Sequence, residues 1–151
     1  MQPKRIRAYL DSNVFIFAKE RRESNSHILL NLIEERRIIP VISYLTLQEL
    51  REYFSITYGR ETAIDEVYYI VSLPELEIVT RDKVKQLIRE FTGVVPEKDI
   101  PHLVAAINAQ VDYFVTYNRH LIQSKASEHL KIIKQKDLVE LLGVQPEPTD
   151  Y

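Results

Sequence analysis

Four polar residues stand just past hydrophobic runs, where a folded chain leaves side chains free for chemistry. Asp11 follows the apolar run 6–10, and Glu49 lies a short way past the run 38–43. Asp99 precedes the apolar stretch 103–109, and Asn118 follows the run 113–116. Three carboxylates brought to one place repel each other, and something must offset that repulsion if they stay ionised. A hard divalent cation does so. Mg²⁺ is held by one or two carboxylates, keeps waters and takes phosphate oxygens as further ligands. Such ions activate water and stabilise an in-line displacement at phosphorus, so the chemistry within reach is phosphoester hydrolysis. The chain has no cysteine and no paired histidine spacing, which favours a hard-ion site over zinc.

Each of these residues also has a purely structural reading. Asp11 can cap a helix. Thr46-Leu47-Gln48-Glu49 has the form of a capping box. Asp99, before Ile100-Pro101, suits a first helical turn, and Asn118 suits a turn or an N-cap. Their common position at the ends of predicted strands is what favours chemistry. His102 and His120 have no ligand-spaced partner and read as surface or helix histidines. Arg51, Lys98 and Arg119 lie within a few residues of the acids and are candidates for phosphate contacts.

The elements that position these residues follow from hydrophobic periodicity. Strands are expected over 6–10, 38–43, 76–80, 113–116 and 130–133. Helices are expected between them, with Ser24 or Ser26 capping the second. After the third strand, Val84, Leu87, Ile88 and Phe91 share one helical face. The helix beginning near Asp99 is apolar nearly all round and is therefore expected to be buried. Strands separated by helices imply right-handed crossovers. The expected fold is α/β, a three-layer α/β/α sandwich around a mostly parallel five-stranded sheet. In such a sheet, sites form beyond the carboxyl ends of the strands. Residues 1–143 are expected to form one domain, and residues 144–151, with two prolines, a loose tail.

Bulk properties exclude several classes. With three glycines there is no phosphate-binding glycine loop. Disulfides and thiolate sites are ruled out. No apolar run approaches the roughly 20 residues of a membrane span, so no membrane partner is expected. The amino terminus lacks a signal-peptide core. The expected location is cytoplasmic. The formal net charge of −2 gives no bulk attraction for nucleic acid, so any positive field must be local.

Together the motifs resemble those of PIN-domain proteins. Ala8-Tyr9-Leu10-Asp11-Ser12-Asn13-Val14-Phe15-Ile16 is similar to the family's opening motif, and Val41-Ile42-Ser43-Tyr44-Leu45-Thr46-Leu47-Gln48-Glu49-Leu50 to its second. Asp99-Ile100-Pro101-His102-Leu103-Val104-Ala105-Ala106 resembles the third, and Tyr113-Phe114-Val115-Thr116-Tyr117-Asn118 the fourth. The resemblance implies a Mg²⁺- or Mn²⁺-dependent ribonuclease acting on single-stranded RNA, with Asp11, Glu49 and Asp99 as its acidic core. It also implies a homodimer and, for the VapC-type toxins among these proteins, an antitoxin partner. The family often carries Asp where this chain has Asn118.

On this reading Asp11 and Asp99 ligate the ion, and Glu49 ligates it or orients its water. Asn118 supplies a neutral oxygen. Asn13, Ser43, Thr46 and Thr116 support the carboxylates. A haloacid-dehalogenase-like phosphatase is disfavoured because Asn13 stands where it needs a second Asp. A receiver domain is disfavoured because Thr80 and Arg81 follow the third strand. The remaining rival is a degenerate RNA-binding or assembly module that has lost catalysis at Asn118.

Overall fold

The structure, a computed structural model, describes residues 5–85 and 93–151. The chain runs β1 (Ile6–Leu10), α1 (Ser12–Glu20), α2 (Asn25–Glu34), β2 (Ile38–Ser43), α3 (Tyr44–Tyr58), α4 (Arg60–Val71), β3 (Glu77–Val79) and α5 (Arg81–Lys85). Then come a 3-10 turn at Glu97–Asp99, α6 (Ile100–Asn108), β4 (Tyr113–Val115), α7 (Arg119–Ile122), a second 3-10 turn at Lys125–Glu128, β5 (Ile132–Ile133) and α8 (Gln135–Leu141). The expected helical face carrying Leu87, Ile88 and Phe91 lies outside the described residues.

The five strands form one sheet in the order β3-β2-β1-β4-β5, and every pair is parallel. Side chains alternate between its faces. Ala8 and Leu10 of β1 join Ile38 and Ile42 of β2 under α1, α2, α3 and α8. Tyr9, Val41 and Phe114 point to the other face, against Leu103, Val104 and Ala106 of α6. Each face is thus sealed by helices, giving the α/β/α layering the sequence predicts. Burying a side chain such as Leu10 or Phe114 stabilises the fold by roughly 1.5–3 kcal/mol.

β1 lies between β2 and β4, so the chain leaves it first toward one side and later toward the other. The crevice at the carboxyl ends of β1 and β4 is therefore the topological switch point.

Local signals explain the helix ends. Ser24 caps α2 by accepting from His27 N–H at 3.1 Å. Ser43, not Thr46, caps α3. The capping box pairs Ser43 with Thr46, which leaves the Glu49 side chain outside it. Gly143, at φ 74°, stops α8.

The C-terminal segment, expected to be loose, is fastened down. Asn25 Nδ2 donates to the carbonyls of Glu147 (3.2 Å) and Thr149 (2.5 Å), and Glu147 N–H returns a bond to Asn25 Oδ1. Tyr151 stacks on Phe17 with ring centroids 4.5 Å apart. Buried amide groups need partners, and one buried asparagine here satisfies the backbone of the whole turn.

Candidate active site

Asp11 ends β1 and is the N-cap of α1, with Oδ1 accepting from Ser12 N–H at 2.9 Å. Capping does not use up the carboxylate. Its Oδ2 accepts from Thr116 Oγ1 at 2.8 Å and from Asn13 Nδ2 at 3.3 Å. Thr116 follows β4 and is fully buried. Its Oγ1 also accepts from Asn13 Nδ2 and from the Asn118 backbone N–H, each at 3.0 Å. Asn13 Oδ1 in turn accepts from Tyr117 N–H (3.1 Å) and Gln135 Nε2 (3.2 Å). The Asp11 carboxylate is thereby held in one orientation by residues from β4 and α8.

Glu49 lies on α3, a turn past the cap. Ser12 Oγ donates to its Oε1 at 2.8 Å. The same oxygen lies 2.8 Å from His102 Nε2, off the line of an aligned hydrogen bond.

His102 is a helix histidine, as expected, but not a surface one, since only 3% of it is exposed. It sits on α6, which is buried as expected, so its ring has no route to solvent. Its Nδ1 is 2.6 Å from Tyr9 Oη. Tyr9 donates to Ser43 Oγ at 3.0 Å and lies 3.3 Å from Thr46 Oγ1. Ser43 and Thr46 therefore touch no carboxylate. They grip Tyr9, which holds His102, which meets Glu49.

Asp99 stands at the start of α6, one helical turn before His102. It is buried, makes no side-chain capping bond, and its Oδ2 has no hydrogen-bond partner. A buried carboxylate oxygen without a donor costs free energy unless a cation satisfies it.

The electrostatics divide the acids. Burial, followed by the negative charge of Asp11, raises the Asp99 pKa above the usual carboxylate value. Burial opposes ionisation of Glu49 as well. There the contacts with His102 and Ser12 and the charge of Lys98 outweigh it, and its pKa is lowered. Burial likewise disfavours a charged His102, but Glu49, Asp11 and Asp99 outweigh it and raise its pKa. Burial pushes the Tyr9 phenol well up, so it keeps its proton.

Ligand atoms of Asp11, Glu49 and His102 all lie within 4.8 Å of one another. This donor set fits a divalent cation; Asp99, which feels the charges of Asp11, His102 and Glu49, lies outside the group. Asn118 reaches the same edge but turns its Oδ1 to His120 N–H at 3.0 Å, capping α7. Arg51 lines a groove between α3 and α4, while Lys98 acts on Glu49 and Asp99 through its charge.

Among solved structures, three similar folds share low identity with this chain. VapBC2 from Rickettsia felis, bound to a DNA fragment from their promoter, superposes with a TM-score of 0.64 at 18% identity, covering 85% of this chain and 98% of that one. DNA-bound VapBC from Salmonella typhimurium gives 0.60 at 23%, over 86% and 98%. FitAcB from Neisseria gonorrhoeae gives 0.63 at 17%, over 85% and 97%. No curated protein matches the chain. The PIN domain family matches residues 7–120, a span that opens with β1 and closes past β4. That span contains all three acids, the histidine and the strands that position them, and the chain belongs to the PIN-domain family.

Proposed function

We propose that the chain is a divalent-metal-dependent endoribonuclease that hydrolyses phosphodiester bonds of single-stranded RNA. One observation carries this reading: ligand atoms of Asp11, Glu49 and His102 lie within 4.8 Å of one another. Membership of the PIN-domain family supports it.

Asp11 and Asp99 hold Mg²⁺ or Mn²⁺, and Glu49 completes the acidic edge. When bound, the ion supplies an activated water and offsets the charge that builds on the scissile phosphate. Thr116 and Asn13 keep Asp11 aimed at the crevice, and Ser12 does the same for Glu49. Lys98 and Arg119 draw the RNA backbone to an otherwise acidic edge. Asn118 shapes the crevice by starting α7.

The fold shared with VapBC and FitAcB complexes supports a toxin of the VapC type with an antitoxin protein as partner, and on this reading the chain acts in the cytoplasm as a homodimer. Ile64, Tyr68 and Val71 are exposed on one stripe of α4 and suit such an interface.

A second reading, an RNA-binding module without catalysis, is favoured by the engagement of Asn118 Oδ1 as a helix cap, which leaves one fewer oxygen for an ion. A cleavage assay separates the two. Purified protein should cut single-stranded RNA with Mg²⁺ or Mn²⁺ and stop on addition of EDTA. Undiminished cleavage in excess EDTA overturns the metal mechanism, and tight RNA binding without cleavage at any metal concentration supports the second reading.

A further inference from the structure

We propose that His102 is itself a metal ligand, so that the site is a mixed imidazole–carboxylate site that prefers first-row transition ions to Mg²⁺. The inference rests on the metal-dependent reading above and adds a donor of a different chemical kind.

The first observation is the state of the ring. Histidine ligands are fixed by a hydrogen bond at the nitrogen that does not face the metal, and that bond sets the tautomer. Tyr9 Oη, bonded to Ser43 Oγ, lies 2.6 Å from His102 Nδ1, so the ring is anchored at the nitrogen that does not face the carboxylates. A neutral ring with its proton on Nδ1 would offer the Nε2 lone pair to an ion in place of the contact with Glu49. Tyr9 is itself locked between β1 and α3, packed on Phe114 at a centroid distance of 5.0 Å.

The second observation is what Nε2 meets. The atom is buried and has no aligned hydrogen-bond partner. Glu49 Oε1 lies 2.8 Å away. Two ligand atoms sharing adjacent positions on a six-coordinate ion are about 3 Å apart, given metal–ligand distances near 2.1 Å. The nitrogen and oxygen already stand at nearly that separation. A third ligand atom, from Asp11, lies within 4.8 Å of both.

The third observation is independent of the cluster. Asp99 is nine-tenths buried, and its Oδ2 has no partner. Asp99 and His102 are three residues apart at the start of α6 and so share one helix face. Both carry a buried atom without a hydrogen-bond partner.

The consequence is selectivity. Mg²⁺ takes oxygen ligands and dehydrates reluctantly, whereas imidazole nitrogen suits transition ions. Coordination by His102 therefore favours Mn²⁺ and later ions of that row over Mg²⁺.

Mn²⁺ is the probe that tests this. The full-length protein is loaded with MnCl₂ and examined by pulsed electron paramagnetic resonance. A nitrogen coupling to bound Mn²⁺ is expected, changing when the protein is made with ¹⁵N-histidine. His102→Gln should abolish it and weaken Mn²⁺ binding roughly 10–100-fold, with a much smaller effect on Mg²⁺. His120→Gln should leave it intact. If His102→Gln does not fold, the ¹⁵N-histidine comparison in the parent protein still decides. Bound Mn²⁺ without nitrogen coupling overturns the proposal, as does failure to bind Mn²⁺ at all. The nuclease reading fails separately: a histidine coupling with no RNA cleavage rejects that reading and leaves His102 ligation standing, whereas cleavage without coupling does the reverse.

Discussion

Asp11 and Thr116, which follow neighbouring parallel strands 105 residues apart in sequence, are joined by a 2.8 Å hydrogen bond from Thr116 Oγ1 to Asp11 Oδ2. The bond joins those from Ser12 N–H and Asn13 Nδ2 in fixing the carboxylate. Thr116→Val keeps the buried shape and removes the donor. Metal affinity should fall roughly 10–100-fold, as is usual when an outer partner of a metal ligand is lost. Stability should fall by about 1 kcal/mol. Isothermal titration with Mn²⁺ beside a thermal melt measures both. Unchanged affinity would show that Thr116 serves packing alone.

Asp11→Asn separates capping from chemistry. Asparagine caps helices as well as aspartate, so the variant should fold normally. Cleavage of RNA should drop about 100-fold or more, because a charged ligand is gone. The rise in melting temperature on adding Mg²⁺ should largely disappear, since that gain depends on binding to the folded state alone. A variant that still cuts RNA and is still stabilised by Mg²⁺ would remove Asp11 from the site.

The pH dependence of the metal-free protein has contributions of opposite sign. Asp99 has a folded pKa above its ordinary 3.8, so the folded chain holds that proton more tightly than the unfolded one. Its contribution turns unfavourable as pH rises from 3.8 through the raised value. Glu49, lowered below 4.5, stabilises the fold above 4.5, and that stability is lost as pH falls through its folded value. His102, raised above 6.5, stabilises the fold below 6.5 and loses that contribution as pH rises through its folded value. Melting temperature without metal should therefore decline as pH is raised above 6.5, and His102→Gln should flatten the decline. Asp99→Asn should melt higher than the parent at pH 7 without metal. Chemical denaturation across pH provides the check, and a flat parent profile above pH 6.5 would contradict the pairing of His102 with Glu49.

Self-association should involve α4. Leu50 and Phe54 of the neighbouring α3 are fully buried inside the monomer. What remains uncovered on these two helices is Ile56 and Tyr58 on α3 and the stripe Ile64, Tyr68 and Val71 on α4, with Tyr68 73% exposed. Tyr68→Glu should weaken self-association by about tenfold or more without lowering the melting temperature of the monomer. Sedimentation velocity over a concentration series reads this directly. A parent that stays monomeric at tens of micromolar, roughly the range of weak association, would argue for a different occupant of this face.

Much of this architecture is written in local pattern. β1 and β2 are mostly apolar runs, and their observed limits coincide with those read from the sequence. β3, β4 and β5 are shorter than their apolar runs, because only part of each run has a neighbour to pair with. The ends of β1 and β4 point to Asp11, Asn13 and Thr116 for the same local reason. His102 carries a subtler lesson. Its helix reads as apolar nearly all round, and a histidine on such a helix has to be buried and to find polar partners. Its spacing alone, without a second histidine, says nothing. The grip of Ser43 and Thr46 on Tyr9 is not legible at all. It depends on which side of the sheet Tyr9 faces and on α6 crossing above it, both set by tertiary packing. The turn of Asn118 toward His120 follows from a four-residue helix too short to show periodicity.

The strand order has a consequence for how the molecule comes into being. β1 pairs on one side with β2, about a quarter of the chain later, and on the other with β4, where Ala8 meets Tyr113. Contacts so distant in sequence form slowly, because a long loop must close before any pairing rewards it. Asp11 can emerge early on a partly folded sheet, yet Thr116 cannot reach it until most of the chain has been synthesised. Assembly of the candidate site is therefore expected to be a late event in biogenesis, complete only when β4 docks.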